Sequence, residues 1–257
     1  MNLTPVLGLI FALLAAGLTG YFYFTRRRRE DWAVRNIPAF TRLRKAVGLA
    51  VEAGTRLHVS LGRGAVTSTE IAAGLAGLSV LERVARAASI SDRPPAATSG
   101  DGAVAILSQD TLRSAYRSLG AETQYDPAAG RLTGITPFSF AAGALPVIQD
   151  EQVSANVLIG NFGNEVALIT DAASRSGSLT IAGTDDLPGQ SVIYATATEP
   201  LIGEEVFASG AYLGAGPVHE ASLHMQDWLR FVIIAAILLG SIITFLGLDS
   251  LLSGGLR

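Results

Sequence analysis

The chain contains no cysteine, which excludes disulfides, a thiolate nucleophile and any Cys-ligated zinc site. Charge is also scarce: 16% of the 257 residues are Asp, Glu, Lys or Arg, against 49% apolar. Basic residues are nearly absent from the second half, where 132–228 carries Arg175 against eleven acids, a net of −10. Such a segment repels phosphate backbones, so nucleic acid is excluded as a partner. There are three histidines. His58 lies in an apolar run and reads as a core residue. His219 and His224 are too far apart for the one-turn spacing of a helical metal pair, so no metal site is assigned. No G-x-S-x-G occurs, no glycine loop completes G-x-G-x-x-G, and none ends in Lys-Ser/Thr, so no cofactor is called for. The paired acids Asp150-Glu151, Asp185-Asp186 and Glu204-Glu205 point in different directions within each pair and read as solvated loop acids. No catalytic residue is assigned.

What is present in abundance is long apolar sequence. Residues 5–24 are twenty uncharged residues followed by Arg26, Arg27, Arg28 and Arg29. At about 1.5 Å per residue this helix reaches about 30 Å, one hydrocarbon core. Tyr21, Phe22, Tyr23 and Phe24 suit a headgroup interface. A cleaved signal peptide would need a basic start, a shorter apolar centre and small residues before the cut, and none of these is found. A second run, 229–248, is broken only by Arg230, which can snorkel beside Trp228. Because basic residues flanking a span stay cytoplasmic, the expected topology is a two-pass plasma-membrane protein. Residues 1–4 and 249–257 would lie outside and the central domain in the cytoplasm.

Residues 25–54 form a basic juxtamembrane collar and linker; 26–45 hold eight bases against two acids, a net of +6. Arg26, Arg27, Arg28, Arg29, Trp228 and Arg230 are the expected membrane and lipid contacts. The collar either attracts anionic lipid headgroups or only enforces topology. Gly8, Ala12, Ala16 and Gly20 share one helical face, as do Ala236, Gly240 and Thr244. Small residues at this spacing allow close helix approach, within one chain or between protomers of a homo-oligomer.

Between the spans, the spacing of Ile37, Phe40, Leu43, Val47 and Val51 predicts an amphipathic linker helix, lying along the membrane or docked on the domain. Then come a strand over 57–61 ending at Gly62, a helix over 68–88 capped by Ser68 or Thr69, a strand near 96–99 ending at Gly100-Asp101, and a helix over 103–119 closed by Gly120. Further on, a strand ends at Gly160, 164–174 reads as a helix, 179–182 as a strand ending before Asp185, and 202–212 as a helix. Alternating strands and helices imply parallel crossovers. The predicted fold is α/β, a Rossmann-like mostly parallel sheet with flanking helices, occupying 55–228 between two transmembrane helices. Segments 55–130 and 153–216 read as a βαβα duplication, or as two ordinary α/β units with similar turns.

Carboxyl ends of parallel strands are where open α/β sheets bind ligands. That makes Gly62, Gly64, Asp101, Gly160, Asn161, Gly163 and Asp185 the candidate ligand-binding set, with plain tight turns as the alternative. Four segments carry a family resemblance: Leu57-His58-Val59-Ser60-Leu61-Gly62, Leu75-Ala76-Gly77-Leu78-Ser79-Val80-Leu81, Ala155-Asn156-Val157-Leu158-Ile159-Gly160-Asn161-Phe162-Gly163 and Leu201-Ile202-Gly203-Glu204-Glu205-Val206-Phe207-Ala208-Ser209-Gly210-Ala211-Tyr212. The chain resembles a bacterial, chiefly Chloroflexota-type, family of uncharacterised membrane-anchored proteins. The resemblance implies two spans and no assigned activity. The expected function is a non-catalytic scaffold, ligand-sensing module or accessory subunit with the lipid bilayer and a membrane-protein partner or second copy as associates. The alternative is a membrane-bound enzyme using a small or nucleotide-like ligand at the Gly62 and Gly160 loops.

Overall fold

The computed structural model describes residues 3–26 and 36–245. In chain order the elements are α1 (Leu3–Arg26), α2 (Pro38–Ala53), β1 (Arg56–Gly62), α3 (Ile71–Ala87), β2 (Ala96–Ser99), α4 (Gly102–Ser118), β3 (Gly130–Leu132), α5 (Pro137–Asp150), β4 (Val153–Asn161), α6 (Val166–Arg175), β5 (Leu179–Gly183), α7 (Leu187–Thr196), β6 (Glu199–Leu201), α8 (Glu205–Tyr212) and α9 (Pro217–Phe245). They divide into two compact units, Val34–Ala215 and the two chain ends.

The larger unit is an α/β domain with six parallel strands in the order β3-β2-β1-β4-β5-β6. The chain starts at the centre with β1, winds outward to β3, then returns through α5 to β4 and winds outward the other way. This is the doubly wound, Rossmann-like topology, and its direction reverses between β1 and β4. Alternation along the strands splits the core in two. Leu57, Val59 and Leu61 of β1 with Val157 and Ile159 of β4 face a layer that includes α2, α3 and α4. Leu158 and Ala182 face the opposite layer, where α5, α6 and α7 supply Phe140, Ile148, Ile169 and Ile193.

α2 docks on the domain: Ala39, Phe40, Leu43, Val47 and Ala50 are buried in the first core. That resolves the alternative left open for this helix. α3 begins at Ile71, three residues later than the spacing suggests, because Ser68 hydrogen-bonds back to Ala65 in a turn instead of capping the helix. The strand ending near Gly160 runs on to Asn161, where the β1–β4 ladder shifts register. The span 131–152, to which local pattern assigns no element, holds the end of β3 and the crossover helix α5. α5 starts with a reciprocal Thr136–Ser139 capping box and tolerates Pro146.

The smaller unit consists of two apolar helices, each long and apolar enough to cross a membrane. α1 packs along α9, and the Phe22 ring near the end of α1 lies 6.4 Å from that of His224 in the early turns of α9, so the two run antiparallel. Arg27, Arg28, Arg29 and the tail 249–257 lie outside the described residues, and α9 is described only to Phe245.

Candidate functional site

In a sheet of this order the loops after β1 and β4 diverge to opposite faces, and the gap between them is the usual ligand crevice. Here the gap is closed by the chain itself. Gly62, the last residue of β1, has φ +70°, and a Cβ there would come within 2.3 Å of the Asn161 carbonyl oxygen. Gly160, in β4, is as tight: its Cβ would meet the Leu61 carbonyl at 2.0 Å. These glycines let the two strand ends touch, so that beyond them the Arg63 N–H donates to the Asn161 carbonyl at 2.9 Å.

The contacts continue across the edge. The Gly100 N–H donates to Gly62 O at 2.8 Å and Thr133 N–H to Ser99 O at 3.0 Å. On the other side Phe162 N–H donates to the Thr184 hydroxyl oxygen at 2.9 Å, and that hydroxyl donates to Phe162 O at 3.0 Å. Asn161 donates its side-chain amide to Asp185 Oδ1 at 2.9 Å. Over the β1–β4 gap lies an ion pair. Arg63 Nε donates to Glu165 Oε1 at 2.8 Å, with the Glu165 side chain only 3% exposed. The same carboxylate accepts from the Gly163 N–H at 3.1 Å. The Arg63 stem lies against Gly100, where a Cβ would come within 2.4 Å of Arg63 Cγ.

Each of the seven candidate ligand residues thus has an internal structural task. Asp101 caps α4 by accepting from the N–H groups of Ala103 and Val104, both at 3.0 Å. Gly64 packs against the Glu70 carbonyl. The structure brings Gly62, Gly160, Asn161, Gly163 and Asp185 together on the central part of the edge. Arg63 and Glu165, which join them, are not among the residues that the sequence marks. A loop arginine and a loop glutamate 102 positions apart give no pairing signal until the strand order is known.

The outward face of the edge is apolar and acidic. Ile135 and Leu187 are each 75% exposed and Phe138 67%. Val66 and Ile202 add two more exposed apolar side chains from the β1 and β6 loops. The strand-end loops 62–70, 100–101, 133–136, 162–165, 184–186 and 202–204 hold one cation, Arg63, and six acids, Glu70, Asp101, Glu165, Asp185, Asp186 and Glu204.

A second polar cluster lies inside the sheet. His58, fully buried, shares hydrogen bonds with Asn156 through Nδ1 and Thr98 through Nε2, both at 2.9 Å. The Thr98 and Ser60 hydroxyls share a hydrogen bond at 3.0 Å, and Asn156 donates to Ser178 at 2.7 Å. Burial lowers the His58 pKa from 6.5 to about 4, outweighing the Asn156 hydrogen bond that raises it. It is a neutral core histidine with both ring nitrogens satisfied. At the amino ends of the strands, Arg56 and Arg131 both pair with Glu151, and Arg93 donates to its carbonyl. Burial pulls the Glu151 carboxyl upward, but the two arginines overcome it and hold it below the usual range.

In the terminal unit, a Cβ on Gly8, Gly20 or Gly240 would meet nothing within 4 Å, and Ala12, Ala16, Ala236 and Thr244 are exposed. Trp228 and Arg230 are exposed, with Arg230 3.4 Å from Asp227. Among the described residues no group of three or more His, Asp or Glu is arranged to hold a metal ion.

Comparison with known proteins gives one match. No curated protein and no solved structure matches the chain. The family model for a domain of unknown function, DUF6754, matches residues 1–253, and the chain belongs to that family.

Proposed function

We propose that this member of the DUF6754 family is a non-catalytic module, held at a bacterial plasma membrane by two spans, whose strand carboxyl edge is a docking surface for a protein partner. The observation that carries the reading is the Arg63–Glu165 pair over the β1–β4 gap, where ligand-binding proteins of this topology hold their ligand. An edge stitched across five strands, with its acids used as caps and hydrogen-bond acceptors, offers little to a small substrate. Its outer face offers exposed Ile135, Phe138 and Leu187 among carboxylates. Exposed apolar groups of this kind mark interaction surfaces, and the charge selects a partner that is basic and apolar. Two antiparallel apolar helices and the +6 collar support the membrane assignment, with the domain cytoplasmic and both termini outside. The uncovered small-residue positions on α1 and α9 leave room for a second copy or a membrane-protein partner in the bilayer.

Site-specific photo-cross-linking in cells tests the docking surface. A photoreactive residue at Phe138 or Leu187 should give a discrete protein adduct, and one at Ile90, 81% exposed at the other end of the domain, should not. Equal adducts from all three positions would contradict the reading.

A ligand-binding function at the Gly62 and Gly160 loops is the second reading, favoured by the reversal of strand order between β1 and β4. Its test is a thermal-shift titration of the full-length protein in detergent with nucleotides and dinucleotides. A bound ligand at about a hundred times its Kd stabilises by about 2.7 kcal/mol. Such a shift would replace the docking reading.

A further inference from the structure

The domain carries a cleft at the opposite end of the sheet from the closed crevice. Its volume is about 400 Å³, within the range of small-ligand sites. One wall is the outward stripe of α2, where Arg42, Lys45, Leu49 and Ala53 succeed each other turn by turn. The other wall comes from the amino ends of β4 and β5, with Ser154 and Leu179.

The chemistry of this cleft is divided along its length. Its middle is alkyl: Leu49, 64% exposed, faces the cleft with Ala50, Ala53 and Leu179. The polar groups of the floor satisfy each other, since Thr55 donates to the Ser154 hydroxyl at 2.8 Å. At one end stand two cations. Arg42 commits one Nη to Glu199 and keeps its remaining N–H groups. Lys45 is the single lysine of the whole chain, is exposed, and has no ion-pair partner among the described residues.

We propose that this cleft binds an anionic amphiphile, with a carboxylate or phosphate head on Lys45 and Arg42 and the alkyl chain laid over Leu49, Ala53 and Leu179. An uncharged apolar ligand would leave the two cations unused. A simple anion would gain nothing from the alkyl wall. The same end of the domain is where the chain enters and leaves, because Arg42 reaches the first residue of β6 and Phe40 stacks on the last residue of α8.

The uniqueness of Lys45 makes the test clean, because amine acylation reports on this one side chain apart from the N-terminus. Full-length protein in phosphatidylcholine nanodiscs is acylated with an amine-reactive ester and the Lys45 peptide quantified by mass spectrometry, with oleate, phosphatidylglycerol or methyl oleate added. At about ten times its Kd an occupying ligand leaves about a tenth of sites free, so acylation should slow about tenfold. Protection by oleate alone assigns a free carboxylate amphiphile, and protection by phosphatidylglycerol assigns a bilayer lipid. Methyl oleate should not protect. Ala53→Trp, which fills the cleft from an exposed helix end, should abolish protection, the rate with ligand being compared with the same variant's rate without it. Equal rates with every additive, or protection that survives Ala53→Trp, would overturn the proposal.

Discussion

The ring of Phe40, in the first turn of α2, stacks on that of Tyr212, the last residue of α8, with centroids 5.0 Å apart and planes 12° from parallel. The first and last helices of the α/β domain are therefore joined to each other. The chain therefore enters and leaves the domain at one place.

Phe40 is fully buried, so Phe40→Ala should destabilise the domain by about 3–5 kcal/mol. A double-mutant cycle with Tyr212→Ala, measured by chemical denaturation, should give a coupling of about 0.5–1.5 kcal/mol. Strictly additive losses would mean that the rings touch without supporting each other.

His58 supplies a pH dependence whose sign is fixed by burial. Its pKa in the folded domain, about 4, lies below the ordinary 6.5, so the unfolded chain takes up the proton first. Stability is therefore full above pH 6.5, falls through the window down to about pH 4, and levels off below it. A tenfold difference in proton affinity between the folded and unfolded chains is worth about 1.4 kcal/mol, so the decline across this window amounts to about 3 kcal/mol. Melting curves between those limits should show the decline, and His58→Gln should flatten it. A variant as acid-sensitive as the parent would show that other groups govern this window.

The Arg63–Glu165 pair should behave as a buried ion pair with one partner partly open to water. Arg63→Ala leaves the Glu165 carboxylate with little beyond the Gly163 N–H and should cost about 3 kcal/mol. Glu165→Gln, which keeps an oxygen acceptor, should cost less. The Arg63→Ala/Glu165→Ala double variant should recover part of the loss, since no unpaired charge remains. A double variant less stable than the sum of the singles would contradict the closed-crevice account.

Ser209 gives a prediction of the opposite sign. Its hydroxyl is buried in α8 without a hydrogen-bond partner. Ser209→Ala removes the unmet donor and should raise stability by about 1 kcal/mol, read as a higher melting temperature.

The α/β class, the parallel strands and the two apolar helices are legible in the sequence because each rests on local pattern. Leu57 to Leu61 before Gly62 reads as a buried strand, and 103–119 before Gly120 reads as a helix. The pieces that escape such a reading are short or atypical. β3 has three residues and almost no apolar signal, and α5 carries Pro146 in its interior. The candidate crevice is legible as a place, since glycines at strand ends mark it, but its closure is not. Whether Arg63 meets Glu165 depends on β1 lying next to β4, a long-range fact that no local spacing encodes. The docking of α2 is of the same kind. Its amphipathic face fits a bilayer surface or a protein core equally well, and only the exposed apolar wall of the sheet decides.

The central claim is a domain held on the cytoplasmic side by two spans, and the absence of cysteine allows it to be measured directly. Single cysteines are placed at Ser118, exposed on the domain, and at Ser253 in the tail, and intact cells are treated with a membrane-impermeant maleimide. The account predicts labelling of Ser253→Cys in intact cells and of Ser118→Cys only after lysis, with both chains resisting extraction by alkaline carbonate. Labelling of Ser118→Cys in intact cells, or release of the chain by carbonate, would contradict it.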